Sequence, residues 1–330
     1  MVIIVLIMYK IFKDTVFVIS FLFKVVILIL SFYFIYKHLF IQNDFDVFIR
    51  AFKIAISSKL NLVLLFFVLL MMFFNWSLES LKWKLLISQV HEHTFFLALK
   101  AVFAGLTLGV FTPNRIGEVA GKLIFLNKGE RIEGVFLAGI GSLVQFLLTI
   151  VFGVSSLFFL IKQNQLNFTH YYFILKSFLF FSVVIFLLVF FIRNKLKKSS
   201  AIKNIKEYLK RIFRFKIQEI LYVLSLSIAR YLIFFFQFFI LLQIFLVDII
   251  LKDALIILPA IFFVITIVPS FAFADIGIRG AVSVFFIGIV TNNEVGVFVA
   301  SLSLWIINIA LPAIAGNVVI LQHRFKSNLK

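Results

Sequence analysis

GVFLAGIGSLVQFLLTIVFGVSSLFFLI, residues 134–161, decides the fold. No charged residue interrupts it, and it is long enough to cross a hydrocarbon core about 30 Å thick as a helix. Its small and polar residues are not scattered. Gly134, Ala138, Ser142, Gln145, Thr149, Gly153 and Ser156 follow one another at three- and four-residue steps. That spacing places them along one face of a helix whose other faces are Leu, Phe, Val and Ile. In a membrane such a stripe faces protein or a cavity rather than lipid.

Working outward, the same kind of run recurs on both sides. Toward the N-terminus lie Val16 to Tyr36, broken only by Lys24, then Leu60 to Trp76, then Thr94 to Phe111. The second of these ends in Trp76, Lys82, Trp83 and Lys84, which read as an interfacial cluster at the headgroup boundary. The third carries Ala101, Gly105 and Gly109 four residues apart, a spacing that lets another helix approach closely. Toward the C-terminus lie Tyr172 to Ile192, Ile217 to Val247, Ala254 to Val268, Ile276 to Val290 and Val297 to Leu321. The expected fold is all-α: a polytopic transmembrane helix bundle of about seven to nine spans.

Composition agrees. The chain of 330 residues is 63% hydrophobic, well above the half expected of a soluble domain. No Pro/Ser-rich linker or change of composition divides it, so residues 1–330 read as a single transmembrane domain. With no Cys, thiolate metal sites, disulfides and Cys nucleophiles are excluded. The net charge of +18 would suggest nucleic acid in a soluble protein. Here the basic residues fall between apolar runs, so they fit membrane orientation and anionic headgroups, and no nucleic acid partner is expected. Residues 193–216 hold ten Lys or Arg against the single acid Glu207, which marks the segment as cytoplasmic. Within it Ile202, Ile205, Leu209, Ile212 and Phe213 share one helical face, so an amphipathic helix on the inner leaflet is expected. A C-terminal tail with Arg324, Lys326 and Lys330 fits the same side. Met1 to Met8 is apolar but lacks the basic start and small-residue site of a cleavable signal.

Charges inside apolar runs are costly and mark candidate sites. Pro113-Asn114-Arg115-Ile116-Gly117-Glu118-Val119-Ala120-Gly121-Lys122 follows the third run. If helical from Pro113, with Thr112 as cap, it places Arg115 three residues from Glu118 and Glu118 four from Lys122, both pairing distances. The segment reads equally as a salt-bridged helix start or as a broken helix aimed at a phosphate. Pro269-Ser270-Phe271-Ala272-Phe273-Ala274-Asp275-Ile276-Gly277-Ile278-Arg279 repeats the scheme with the signs reversed, Asp275 capping a half-helix and Arg279 four residues on. Broken or re-entrant helices are therefore expected near 112–122 and 269–280, a pattern of transporter-like sites. Arg230, about 20 Å into its helix, calls for a buried partner, with Asp275 and Glu118 as candidates. The candidate substrate-binding residues are thus Arg115, Glu118, Lys122, Gln145, Arg230, Asp275 and Arg279. Asp44-Phe45-Asp46 lacks a nucleotide-binding domain beside it, and His91-Glu92-His93 departs from H-E-x-x-H at Phe95. No metal site, cofactor or catalytic constellation is expected.

The run from Phe103 through Lys122, with the polar-striped helix after it, resembles the lysylphosphatidylglycerol synthase transmembrane-region family, also called flippase-like membrane proteins. Pro113, Arg115, Gly117 and Glu118 match its P-x-R-x-G-E-like signature. Pro269, Gly277 and Arg279 match part of a later one, where Gly280 stands in place of the closing Glu. The chain ends at Lys330 without the soluble aminoacyltransferase domain of the members that make lysylphosphatidylglycerol. The resemblance implies a stand-alone membrane module of the bacterial cytoplasmic membrane that binds or translocates a phospholipid or a polyprenyl-phosphate-linked lipid. Two other readings are a membrane enzyme acting on a lipid phosphate, with Glu118 or Asp275 as general base, and a non-catalytic partner docking a cytoplasmic enzyme through 193–216.

Overall fold

The computed structural model describes residues 56–112, 115–162, 215–268, 270 and 272–328, together with positions 33, 49–50 and 52–53. Apart from Tyr33, the run Val16 to Tyr36 lies outside the described residues, as do the run Tyr172 to Ile192, most of the basic segment 193–216, and Pro113 and Pro269. So do the side chains of the C-terminal tail.

All regular structure among the described residues is helical. In chain order the helices are α1 (Lys59–Ile87), α2 (Phe95–Val110), α3 (Gly117–Leu123), α4 (Arg131–Lys162) and α5 (Ile217–Ile244). They continue with α6 (Leu251–Ile267), α7 (Ala272–Ile287), α8 (Glu294–Trp305) and α9 (Leu311–Asn328). A short 3₁₀ turn at Lys128–Glu130 leads into α4, and a π-helical segment, Ile306–Ala310, joins α8 to α9. Four stretches are long and apolar enough to cross a membrane: Lys59–Ile87, Lys128–Lys162, Ile217–Ile244 and Glu294–His323. Their outer faces expose Phe66, Phe73, Leu147, Val151 and Phe158, side chains that only lipid would solvate well.

Small residues set the close contacts. A Cβ on Gly105 would stand 2.6 Å from the Glu118 carbonyl, and one on Gly121 would strike the Gly105 backbone. The spacing of Ala101, Gly105 and Gly109 therefore does what it predicts: it seats α3 directly on α2. The stripe on α4 divides its work. Gly134 meets Leu123 and Leu126, Gly153 meets Phe263 and the Pro259 carbonyl of α6, and the Ser156 hydroxyl donates to the Ile256 carbonyl. Between these two packed ends, Ser142, Gln145 and Thr149 line a cavity. On the other side of α2, Gly316 of α9 packs against the Phe103 carbonyl, and Thr107 Oγ1 donates to the Ala313 carbonyl at 2.7 Å.

Three expectations change. The second apolar run does not end at Trp76: α1 continues to Ile87, and Trp76, Lys82 and Trp83 are buried in the bundle instead of lying at an interface. The helix of the first charged cluster does not begin at Pro113. It begins at Gly117, because Arg115 takes the left-handed conformation with φ 57°, which no continuing helix tolerates. Asp275 does not cap α7, which starts three residues earlier at Ala272.

Candidate functional site

Both expected helix breaks are present, α2 stopping before α3 and α6 stopping before α7. At the first, Thr112 spans the gap. Its hydroxyl donates back to Leu108 at 3.0 Å and accepts the Gly117 N–H at 2.7 Å. Gly117 is needed there, since a Cβ would collide with the Leu108 carbonyl. The turn thrusts Arg115 beside Glu118, with Nε 2.8 Å from Oε1. The pair is close but poorly aligned: Glu118 Oε1 and Arg115 Nη2 are both buried without a hydrogen-bond partner among the described residues.

At the second break Asp275 gathers three donors. Arg279 Nε lies 2.9 Å from Oδ2, the Trp305 indole N–H 3.2 Å from the same oxygen, and the Ser270 hydroxyl 3.1 Å from Oδ1. This carboxylate ties α7 to α8 and to the chain entering α7.

The most concentrated charge is on α1. Glu79 is buried, and three cations from three helices converge on it. Lys122 Nζ of α3 lies 2.7 Å from Oε1, Lys82 Nζ of α1 lies 2.7 Å from Oε2, and Arg230 of α5 pairs with Oε2. Arg230, at the middle of α5, also donates through Nε to Asn75 Oδ1 at 3.0 Å, and Asn75 donates to Asn308 at 3.4 Å. Two indoles back the cations: Arg230 stands 5.2 Å from the Trp76 ring centre, and Lys122 stands 5.4 Å from that of Trp83. Lys82 is also within 3.3 Å of the Gly141 carbonyl of α4. The partner of Arg230 is therefore Glu79, not Asp275 or Glu118, and Lys122 turns to Glu79 and not to Glu118.

Two adjoining cavities enclose these groups. One, of about 460 Å³, is lined by Arg115, Gln145, Arg230, Asp275, Arg279 and Asn308 among others. The other, of about 590 Å³, is lined by Glu79, Lys82, Arg115, Glu118, Lys122, Gln145 and Arg230 among others. They share Trp76, Arg115, Gln145, Thr149, Arg230 and Thr266 as a common wall. All seven residues singled out in the sequence thus border one or other of the two adjoining cavities, and Gln145, on the wall they share, has a buried oxygen without a partner among the described residues. Sequence reasoning missed Asn75, Glu79 and Lys82. Their four- and three-residue steps form a polar face on α1 like that on α4, and that spacing was the available signal. His91, set aside as a metal ligand, pairs with Glu130 at 3.1 Å.

An apolar helical bundle with four stretches long enough to cross a membrane, built around charged cavities, defines an integral membrane protein with transmembrane helices. The chain matches the family described as lysylphosphatidylglycerol synthase TM region over residues 17–316, and it belongs to that family. No curated relative and no solved structure matches it.

Proposed function

We propose that this protein is a flippase-like transporter of the bacterial cytoplasmic membrane, holding the phosphate of a lipid headgroup in the paired cavities and passing it between leaflets. The observation that carries this reading is the sharing of one buried carboxylate, Glu79, by three cations on the wall of those cavities. Burying charge among apolar helices is expensive, and a structure that buries more cations than anions is prepared for an anionic ligand. The outer wall supports a lipid as that ligand. Leu143, Phe146 and Ile116 line the larger cavity and are themselves exposed on the apolar surface, so a headgroup inside can keep its acyl chains outside.

In this reading Lys122 and Arg230 attract the phosphate, Gln145 and Arg115 bind the rest of the headgroup, and the Asp275–Arg279 pair holds the second break in shape. Family membership agrees with lipid handling. The test is headgroup translocation in proteoliposomes carrying labelled anionic phospholipid or polyprenyl phosphate. Arg230→Ala, shown to be folded by its size-exclusion profile and unfolding temperature, is expected to reduce translocation by about tenfold or more. Unchanged translocation in that variant would remove the site from the transport path.

One observation favours a lipid-phosphate enzyme instead: Glu118 borders the larger cavity, and its Oε1, though paired with Arg115, completes no hydrogen bond among the described residues, so the carboxylate is less fully engaged than that of Asp275. Asp275, with three donors, is not free for that role. Loss of product formation from a lipid phosphate in Glu118→Gln, with lipid binding intact, would select the enzyme.

A further inference from the structure

The charge of the site specifies its ligand more narrowly than "anionic lipid". Five cationic side chains line the two cavities, Lys82, Arg115, Lys122, Arg230 and Arg279, against three carboxylates, Glu79, Glu118 and Asp275. That leaves two positive charges among the described residues. They are not spread evenly. Arg115 is matched one-to-one by Glu118, and Arg279 by Asp275. The whole excess sits on Glu79, which has one charge to offer and three cations around it.

Unused donors lie in the same place. Trp76 Nε1 and Arg115 Nη2 belong to residues lining both cavities, and both are buried without a hydrogen-bond partner among the described residues. Donors left unpaired at a wall of excess positive charge are what a phosphate, an acceptor on every oxygen, would satisfy.

Resting on the lipid-binding reading above, we infer that the paired cavities select a lipid whose headgroup phosphate carries two negative charges. That means a phosphomonoester or a diphosphate linkage, in preference to the single charge of a phosphodiester. A dianion would neutralise the excess fully; a monoanion would leave one buried positive charge uncompensated, at a cost. The aromatic backing of Lys122 and Arg230 keeps both cations in place when Glu79 has to share them with the ligand.

The test uses the full chain in neutral detergent at about pH 7, where a phosphomonoester is mostly doubly ionised and the excess of cations in the site is kept. Binding is measured for phosphatidic acid and for phosphatidylglycerol with the same acyl chains. Glycerol 3-phosphate serves as a soluble source of the same charge. Phosphatidic acid is expected to bind at least about tenfold more tightly than phosphatidylglycerol. Lys122→Gln, which removes one positive charge, should narrow that ratio severalfold. Glu118→Gln, which adds one, should widen it. Opposite movements in two variants of one cavity cannot both arise from misfolding.

Equal affinity for the two lipids, or parallel movement of the ratio in the two variants, would overturn the inference. Glycerol 3-phosphate binding as tightly as phosphatidic acid would overturn the lipid as the source of the charge. The proteoliposome assay is read separately. Absent translocation with an intact phosphatidic acid preference would defeat the transport reading and leave this inference standing. Brisk translocation of both lipids with equal affinity would do the reverse.

Discussion

At residues 111–117 and again at 268–272 the chain leaves one helix and enters another, and each time an arginine and a carboxylate follow closely. The two pairs have similar lengths, 2.8 Å and 2.9 Å, yet they are built to different ends. At the first break the backbone is held in a conformation an arginine rarely adopts, and a third of each charged side chain is exposed. The pair is misaligned and leaves atoms of both side chains without a hydrogen bond among the described residues. At the second, the carboxylate is almost buried and carries an arginine, a hydroxyl and an indole. A charge pair inside a membrane bundle can be fastened or left open, and hydrogen-bond completeness separates the two better than distance does. Strain and unbonded atoms persist only where the surrounding structure holds them, and they accumulate at functional positions.

Asp275→Ala should give the largest effect on this comparison. It leaves the half-buried Arg279 without its counter-charge, and the expected loss of stability is about 3 kcal/mol, read as a lower unfolding temperature in detergent. A loss under about 1 kcal/mol would mean that the second break is as open as the first. Gly121→Val comes next, because its Cβ meets the Gly105 backbone and must push α3 off α2. Overpacking of this kind costs about 1–3 kcal/mol and should weaken lipid binding by displacing Lys122 and Glu118 together. Normal binding in that variant would show that α3 need not sit on α2 for the first break to work. Arg115→Gly should have the smallest effect on stability, under about 1 kcal/mol, since relief of the left-handed strain offsets the lost exposed ion pair. Its phosphatidic acid affinity should nevertheless fall severalfold, and a stability loss as large as that of Asp275→Ala would erase the distinction between the two breaks.

The bundle was readable because lipid enforces one rule on every span, and a run such as residues 134–161 obeys it without exception. The polar stripe on α4 was readable for the same reason: Gln145 and Thr149 stand out against Leu and Phe. Both breaks were visible in Pro113 and Pro269. Partnership was not. Glu79 meets Arg230 across 151 positions and Lys122 across 43, and no local spacing encodes contacts brought about by packing. Trp76 and Trp83 added to the difficulty, since tryptophan beside lysine suits an interface as well as a cation resting on a buried ring. Arg115 and Glu118 were correctly joined by spacing, but the left-handed turn that misaligns them arises from Thr112 and Gly117 locking the chain against Leu108.

The π-helical segment at Ile306–Ala310 has a consequence for how the last stretch of chain can change. A π turn holds one residue more than an α turn, so it shifts the phase of everything after it by about 100°. Before the segment, α8 is phased to meet α7 and α5; after it, α9 is phased to meet α2, with Gly316 on Phe103 and His323 on Phe125. One continuous rod thereby serves two unrelated sets of neighbours. Substitutions along α9 act one site at a time, whereas deleting a single residue from 306–310 would restore an ordinary helix and turn the whole α9 interface away from α2 at once. A change of length there reaches further than any single substitution.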